Sequence, residues 1–422
     1  MNEIYSVFID KKCNTPIYQQ LGDALCRLIE DGALAPNTKL PPIRVMAKKL
    51  KINNVTVIAA YKYLENKKVV YSHVGSGTFV SPIPLQSIPT PVVKENLTAY
   101  GAAGDSFGEI SVNFTQTTPP ESLFPLEDFK SAFNELLDQE KGGAFGYVES
   151  QGYLPLRESI CSYLLAYGVH ASPDQIQIIS GAQQGIDIVA KAMTSYGDVI
   201  FTEKPTFYGA AGAFLSRGGQ IIEIPMEPDG MNISALEDLA KLYHPKFIYM
   251  MSYFQTPTGF SYSTEKKRRL LELADQYDIY IIEDDNLYDF HYSSGDIVPL
   301  KALDYKNRVI YIKSFSKILM PGLRLGFAVL PKKIRKSILE AKYITDLSTS
   351  GFIQKAFDRY LRKNLWEEHI QTLRSFGKRR YQAALKAADR YFAGSIPVPR
   401  QNGGVSPVSY THLDVYKRQS CT

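Results

Sequence analysis

Ile312-Lys313-Ser314-Phe315-Ser316-Lys317, continued by Pro321-Gly322-Leu323-Arg324-Leu325-Gly326, follows an apolar run at Val309–Ile312 that reads as a buried strand. Two hydroxyls, a lysine and an arginine are thereby set in one segment after a strand. Together they can hold one phosphate and one aldehyde. A lysine among cations has a lowered pKa, which favours the free amine that imine formation needs. A surface lysine is the plain alternative when this segment is taken alone.

Two further segments repeat the pattern of a strand followed by a polar turn. Ile178-Ile179-Ser180-Gly181-Ala182-Gln183-Gln184-Gly185 runs from a strand through small residues into a helix, a geometry that turns backbone N–H groups toward a phosphate. Ile281-Ile282-Glu283-Asp284-Asp285 sets acids at a strand end, which suits a metal, a carboxylate facing a cationic ring nitrogen, or a helix N-cap. The apolar runs Ile176–Ile179, Val199–Phe201, Gln220–Ile224, Phe247–Met251, Ile279–Ile282, Val309–Ile312 and Leu325–Val329 alternate with helical patterns. That alternation predicts an α/β domain with a mainly parallel sheet and its ligand at the carboxyl ends of the strands, with the polar motifs in the loops just beyond.

The first fifth of the chain is different. Residues 1–81 hold 11 Lys/Arg against 6 Asp/Glu, while the remainder is balanced, so this segment carries the whole net charge of +5. A basic module on a neutral body is a nucleic-acid footprint, with a solvated lysine surface as the bland alternative. Ile17, Leu21, Leu25, Leu28 and Ile29 mark an amphipathic helix, Ile43, Met46, Ala47 and Leu50 a second, and Val57, Tyr61 and Leu64 a third after the turn Lys51-Ile52-Asn53. Val69-Val70-Tyr71 and Thr78-Phe79-Val80 flank Gly75-Ser76-Gly77 as a hairpin. Three helices and a hairpin predict a winged helix-turn-helix.

Lys39-Leu40-Pro41-Pro42-Ile43-Arg44, Thr56-Val57, Ala60-Tyr61 and Gly75–Val80 resemble the GntR winged helix. That resemblance implies contacts to double-stranded operator DNA from Arg44, Asn54, Thr56 and the tip Gly75, Ser76, Gly77. Asn53-Asn54 departs from the Ser-Arg usual in the family and removes a cation. The segment from about residue 111 to 406 resembles the fold-type I pyridoxal-phosphate enzymes, the aspartate-aminotransferase superfamily. The resemblance implies pyridoxal 5'-phosphate as cofactor and Lys317 as its Schiff-base lysine. It places Asp284 at the ring nitrogen, Ser314, Ser316, Arg324, Gly181, Ala182 and Gln183 at the phosphate, and Phe207 stacked on the ring. It gives Tyr147 to the phosphate site of a partner subunit, hence a homodimer. Thr256 stands where the family has an asparagine, and Asn286 where it often has a tyrosine; both positions normally bond the ring hydroxyl.

The two parts in this order resemble the MocR branch of the GntR regulators. This implies a transcriptional regulator sensing pyridoxal phosphate or an amine or amino acid. A working aminotransferase, and a regulator whose large domain serves only dimerisation, are the alternatives. The expected division is 1–81 winged helix, 82–110 linker rich in Pro and small residues, 111–371 large domain, 372–406 the start of a small C-terminal domain, and 407–422 a non-native tail that resembles adapter read-through. The chain is therefore expected to be truncated, and no arginine for a substrate carboxylate is assigned. The four cysteines form no CxxC pair, and no metal site is expected. No apolar run reaches the roughly 18 residues of a membrane span, so no membrane partner is expected, and a reducing cytoplasm is the expected compartment.

Overall fold

The computed structural model describes residues 3–5, 7, 9, 10, 13, 15–67, 69–73, 77–81, 118–292, 298–392 and 400–404. Gly75 and Ser76 of the wing tip, the linker 82–110 and the tail 407–422 lie outside the described residues.

In the N-terminal unit, helices α1 (Ile17–Glu30), α2 (Ile43–Leu50) and α3 (Asn54–Asn66) precede strands β1 (Val70–His73) and β2 (Gly77–Val80). Lys51 takes a left-handed conformation, φ 52°, and closes α2, so the chain turns at once into α3. Asn53 caps α3: its side chain accepts the Val55 N–H at 3.0 Å. Val57, Ala60, Tyr61 and Leu64 then fall on one helix face and pack with Leu21, Leu25 and Met46 in a single core. β1 and β2 pair antiparallel, Val70 opposite Val80 and His73 opposite Gly77. Leu40 N–H to Thr78 O and Val80 N–H to Thr38 O, both 2.8 Å, tie this wing to the segment before α2. The unit is a winged helix-turn-helix.

Beyond residue 118 the elements run, in chain order, α4 (Leu126–Glu140), α5 (Leu154–Leu165), β3 (Ile176–Ile179), α6 (Ala182–Met193), β4 (Val199–Lys204), α7 (Tyr208–Ser216), β5 (Gln220–Glu227), β6 (Gly230–Met231), α8 (Ile233–Tyr243), β7 (Phe247–Met250), α9 (Thr264–Gln276), β8 (Tyr280–Asp285), β9 (Val309–Ser314), β10 (Gly326–Val329), α10 (Arg335–Asp346), α11 (Gly351–Arg362) and α12 (Trp366–Phe392). The sheet order is β3-β10-β9-β8-β7-β4-β5-β6. Neighbours from β9 through β5 are parallel, while β10 runs antiparallel to both β3 and β9. Ile186 and Val189 of α6, Phe214 of α7, and Ile282, Ile310 and Ile312 of the sheet share one core.

The strands reach further than the apolar runs suggest. β8 takes in Glu283, Asp284 and Asp285, and β9 takes in Lys313 and Ser314, so these motif residues are strand ends rather than loop residues. The polar ends are tolerated because they find partners across the ladder. Asp285 lies opposite Lys313, with 3.1 Å between Oδ2 and Nζ, and accepts the Tyr311 hydroxyl. Lys313 Nζ also meets Asp289 at 2.8 Å, and all three charged groups are buried. Replacing one member of such a group leaves charge buried without a counter-ion, which costs about 3–5 kcal/mol. Lys313→Met is therefore expected to lower the free energy of unfolding, measured by urea titration, by an amount in that range, and a value unchanged from wild type would contradict this account.

Candidate functional site

Gly181 is the N-cap of α6, with φ +99°. Arg324, itself left-handed at φ 48°, sends its guanidinium onto this turn. Its Nη1 donates to Ser316 Oγ at 3.1 Å and its Nη2 to Ser180 O at 3.0 Å. A Cβ on Gly181 would lie 2.6 Å from Nη2, so only glycine admits the arginine here. The first-turn amides of α6, including Ala182 and Gln183, have no carbonyl partner within the helix. A helix N-terminus, a guanidinium and the Ser316 hydroxyl thus converge, which is the chemistry of an anion site. Ser314 is buried one shell behind: its Oγ accepts the Ser316 N–H at 3.2 Å and fixes the turn. Ser180 is steadied by Thr349 (3.0 Å between hydroxyls) and by Gln184, whose Oε1 accepts its N–H at 2.7 Å.

Lys317 follows directly on this turn and is partly buried. Burial pushes its amine below the usual lysine value. The cause is desolvation and not, as the sequence suggests, neighbouring cations.

Asp284 is buried at the end of β8. Its Oδ2 accepts the Tyr249 hydroxyl at 2.8 Å, whereas its Oδ1 is buried with no hydrogen-bond partner. Burial raises the carboxyl to about 7, with the Tyr249 hydroxyl pulling it down and the Asp285 charge pushing it up. A buried carboxylate with a vacant oxygen fits a cationic N–H group. It shares its face of the sheet with Ile282, and that is the face α6 covers.

Other residues singled out in the sequence fall as follows. Phe207 lies beside Gly209 and Gln183: Gln183 Nε2 donates to Gly209 O at 2.8 Å, and a Cβ on Gly209 would come within 2.5 Å of the Phe207 ring. Thr256 is exposed, and its N–H donates to Met251 Sδ at 3.3 Å. Asn286 Oδ1 is buried without a hydrogen-bond partner. Tyr288 is engaged elsewhere, its ring 4.7 Å from Tyr167 and 5.3 Å from Tyr253. Tyr147 is 92% exposed and makes no burial within its own chain. In the N-terminal unit, Arg44 is exposed at the start of α2 and Asn54 at the start of α3, and Thr56 is half-buried. Gly77 opens β2 at φ +116°.

The sequence reading missed Tyr249 and Glu203. Glu203 is a buried hub at the end of β4: it accepts the Met251 N–H (3.1 Å), the Tyr262 hydroxyl (2.9 Å) and Gln255 Nε2 (2.9 Å), and so binds the turn holding Thr256 to the sheet. An acid two residues after the run Val199–Phe201 was the available signal. Tyr249 carried none, because a tyrosine within an apolar strand reads as core.

The raised Asp284 value has a definite consequence for stability. An acid whose folded pKa lies above its unfolded value of about 3.9 is protonated in the native state and ionised in the unfolded state between the two. Stability therefore falls as pH rises from about 4 to about 7. Asp284→Asn in the ligand-free protein is expected to gain stability over wild type between pH 4.5 and 7.5 in urea unfolding. A difference independent of pH would sink the assignment.

Residues 17–80 match the family of bacterial regulatory proteins, gntR family, and residues 110–414 match aminotransferase class I and II. A probable rhizopine catabolism regulatory protein MocR of Rhizobium meliloti is 27% identical, covering 95% of this chain and 83% of that protein. Aromatic-amino-acid aminotransferase 1 of Thermococcus litoralis is 34% identical over 68% of this chain and 70% of its own. The crystal structure of Pyrococcus horikoshii kynurenine aminotransferase superposes with a TM-score of 0.68 at 32% identity, over 74% of this chain and 78% of that one. No helix among the described residues is long and apolar enough to cross a membrane. The chain belongs to the aminotransferase class I and II family and, with a gntR-family domain ahead of that fold, is a transcription regulator of the GntR/MocR type.

Proposed function

We propose that this regulator holds pyridoxal 5'-phosphate and uses it to sense an amine or amino acid. The observation that carries the reading is the vacant, buried Oδ1 of Asp284 on the face of the sheet where Gly181, Ser316 and Arg324 build an anion cradle beside Lys317. Members of the fold-type I aminotransferase family use this cofactor. Arg324, Ser316 and the first amides of α6, at Ala182 and Gln183, would hold its phosphate, with Ser314 supporting. Phe207 would face the ring, Asp284 the ring nitrogen, and Lys317 the aldehyde. The group supplies an electrophilic carbonyl and an electron sink. Lys317 supplies a desolvated amine, and Asp284 a carboxylate that is favourable only opposite a cation.

An effector amine would take the place of the Lys317 amine in the site. The charge and position of the lysine are then what change, on the turn that also carries Ser316. Aminotransferase-fold proteins are typically dimers, and the outward Tyr147 suits a site completed by a second copy. A dimer would also present two winged helices to operator DNA, with Arg44, Asn54, Thr56 and the wing tip Gly75–Gly77 as the contacts, in the bacterial cytoplasm where that DNA lies.

Added pyridoxal phosphate should give the visible imine absorbance with wild type and none with Lys317→Ala. Arg324→Ala should keep the band but raise the apparent Kd about tenfold or more, as for loss of a charge-assisted pair. An unaltered band in Lys317→Ala would overturn the reading. The likeness to the Thermococcus aminotransferase supports a second reading, catalytic turnover. Steady transfer between an amino acid and a keto acid would establish that one.

A further inference from the structure

The outer face of α3 is aliphatic where a DNA-reading helix would need to select bases. Asn54, Val55, Ile58 and Lys62 lie along one exposed stripe, opposite the buried Val57, Ala60, Tyr61 and Leu64. Val55 is 68% exposed and Ile58 48%. They are neighbours on the stripe, so their exposed carbons form one patch beside the Asn54 amide. No Lys or Arg occurs from Ile52 to Tyr61, and the first cation on the helix, Lys62, comes only past its middle. Asn53 is already engaged as the helix cap, because its side-chain Oδ1 accepts the Val55 N–H at 3.0 Å. The Asn54 side chain makes no hydrogen bond among the described residues.

Base edges in the major groove differ in what they ask of a side chain. Guanine is read above all by the forked donors of Arg or by Lys; adenine N6 and N7 are matched by a carboxamide; the thymine 5-methyl is matched by apolar carbon. The first two turns of α3 lack the first kind of group and present the other two. We propose that α3 reads A·T pairs, with Asn54 on an adenine edge and Val55 and Ile58 against thymine methyl groups. Lys62 adds a phosphate contact without base preference. Arg44, on α2, serves phosphate or a guanine outside the α3 contacts. The inference rests on the regulator reading and adds what part of the operator α3 selects.

The test selects duplexes from a random pool with the full-length protein, then with Asn54→Ala and with Ile58→Ala. All three residues of the patch are exposed, and alanine favours helix, so folding is preserved. The positions whose preference relaxes in either variant are expected to be A·T in the wild-type selection, and Asn54→Ala should bind the selected site about tenfold more weakly. Replacing thymine by deoxyuridine at those positions removes one methyl group per base. This should weaken wild type about fourfold per buried methyl and leave Ile58→Ala nearly unaffected at its position. Enrichment of G·C at those positions overturns the proposal and leaves the regulator reading intact, as does equal loss with deoxyuridine in both proteins or no loss in either. Enrichment of no sequence, with binding no tighter than to competitor DNA, overturns both.

Discussion

Three consecutive carboxylates, Glu283, Asp284 and Asp285, end a strand in the middle of an eight-stranded sheet. Each must lose its water, and the surrounding fold is arranged around how each is compensated. Glu283 accepts the Ser252 hydroxyl and the N–H groups of Leu300 and Lys301, both at 2.7 Å. Asp285 accepts the Tyr311 hydroxyl and the Tyr288 N–H (3.0 Å) and pairs with Lys313. Successive side chains alternate across a sheet, so these two share one face and Asp284 takes the other. On that other face compensation stops at Tyr249. The chain satisfies the flanking acids fully and the central acid by half.

The anion cradle follows from the same sheet. β3 and β9 both deliver their carboxyl ends to one edge of the molecule, with β10 between them running the opposite way. The turns after β3 and β9 are thereby brought close enough for Arg324 to bond both Ser180 and Ser316. Gly181 and the left-handed Arg324 are the two backbone concessions that make the approach possible. The unpartnered carboxylate is then held by a strand, and the positive helix end and the guanidinium by short turns pinned to strand ends, which gives the site a rigid frame.

Much of this architecture was legible in the residues. Apolar runs located all seven main strands of the sheet, since burial on both faces leaves little room for polar side chains. Their ends were less legible. Asp285 and Lys313 look like loop residues singly and become strand residues only when the register sets them opposite one another. The same long-range pairing hid Tyr249 and Glu203, whose partners are distant in sequence. Thr256 departs from the family pattern in the residues and, being exposed, does nothing in the structure to restore it. Asn286, the other departure, is different: its buried, unpartnered amide oxygen could not be foreseen from a substitution table. The cause of the lowered Lys317 value was likewise misjudged, because burial is a property of the fold and nearby cations are a property of the sequence.

The half-satisfied Asp284 would also bear on how long the folded chain survives. A cation seated against Oδ1 binds the native state and has no counterpart in the unfolded one, so occupancy adds directly to the free energy of unfolding. The empty and occupied chains then differ in the fraction that opens at any moment, and cellular proteases act on that fraction. The abundance of this protein would in that way follow the supply of whatever fills the site, before any change in its contact with DNA.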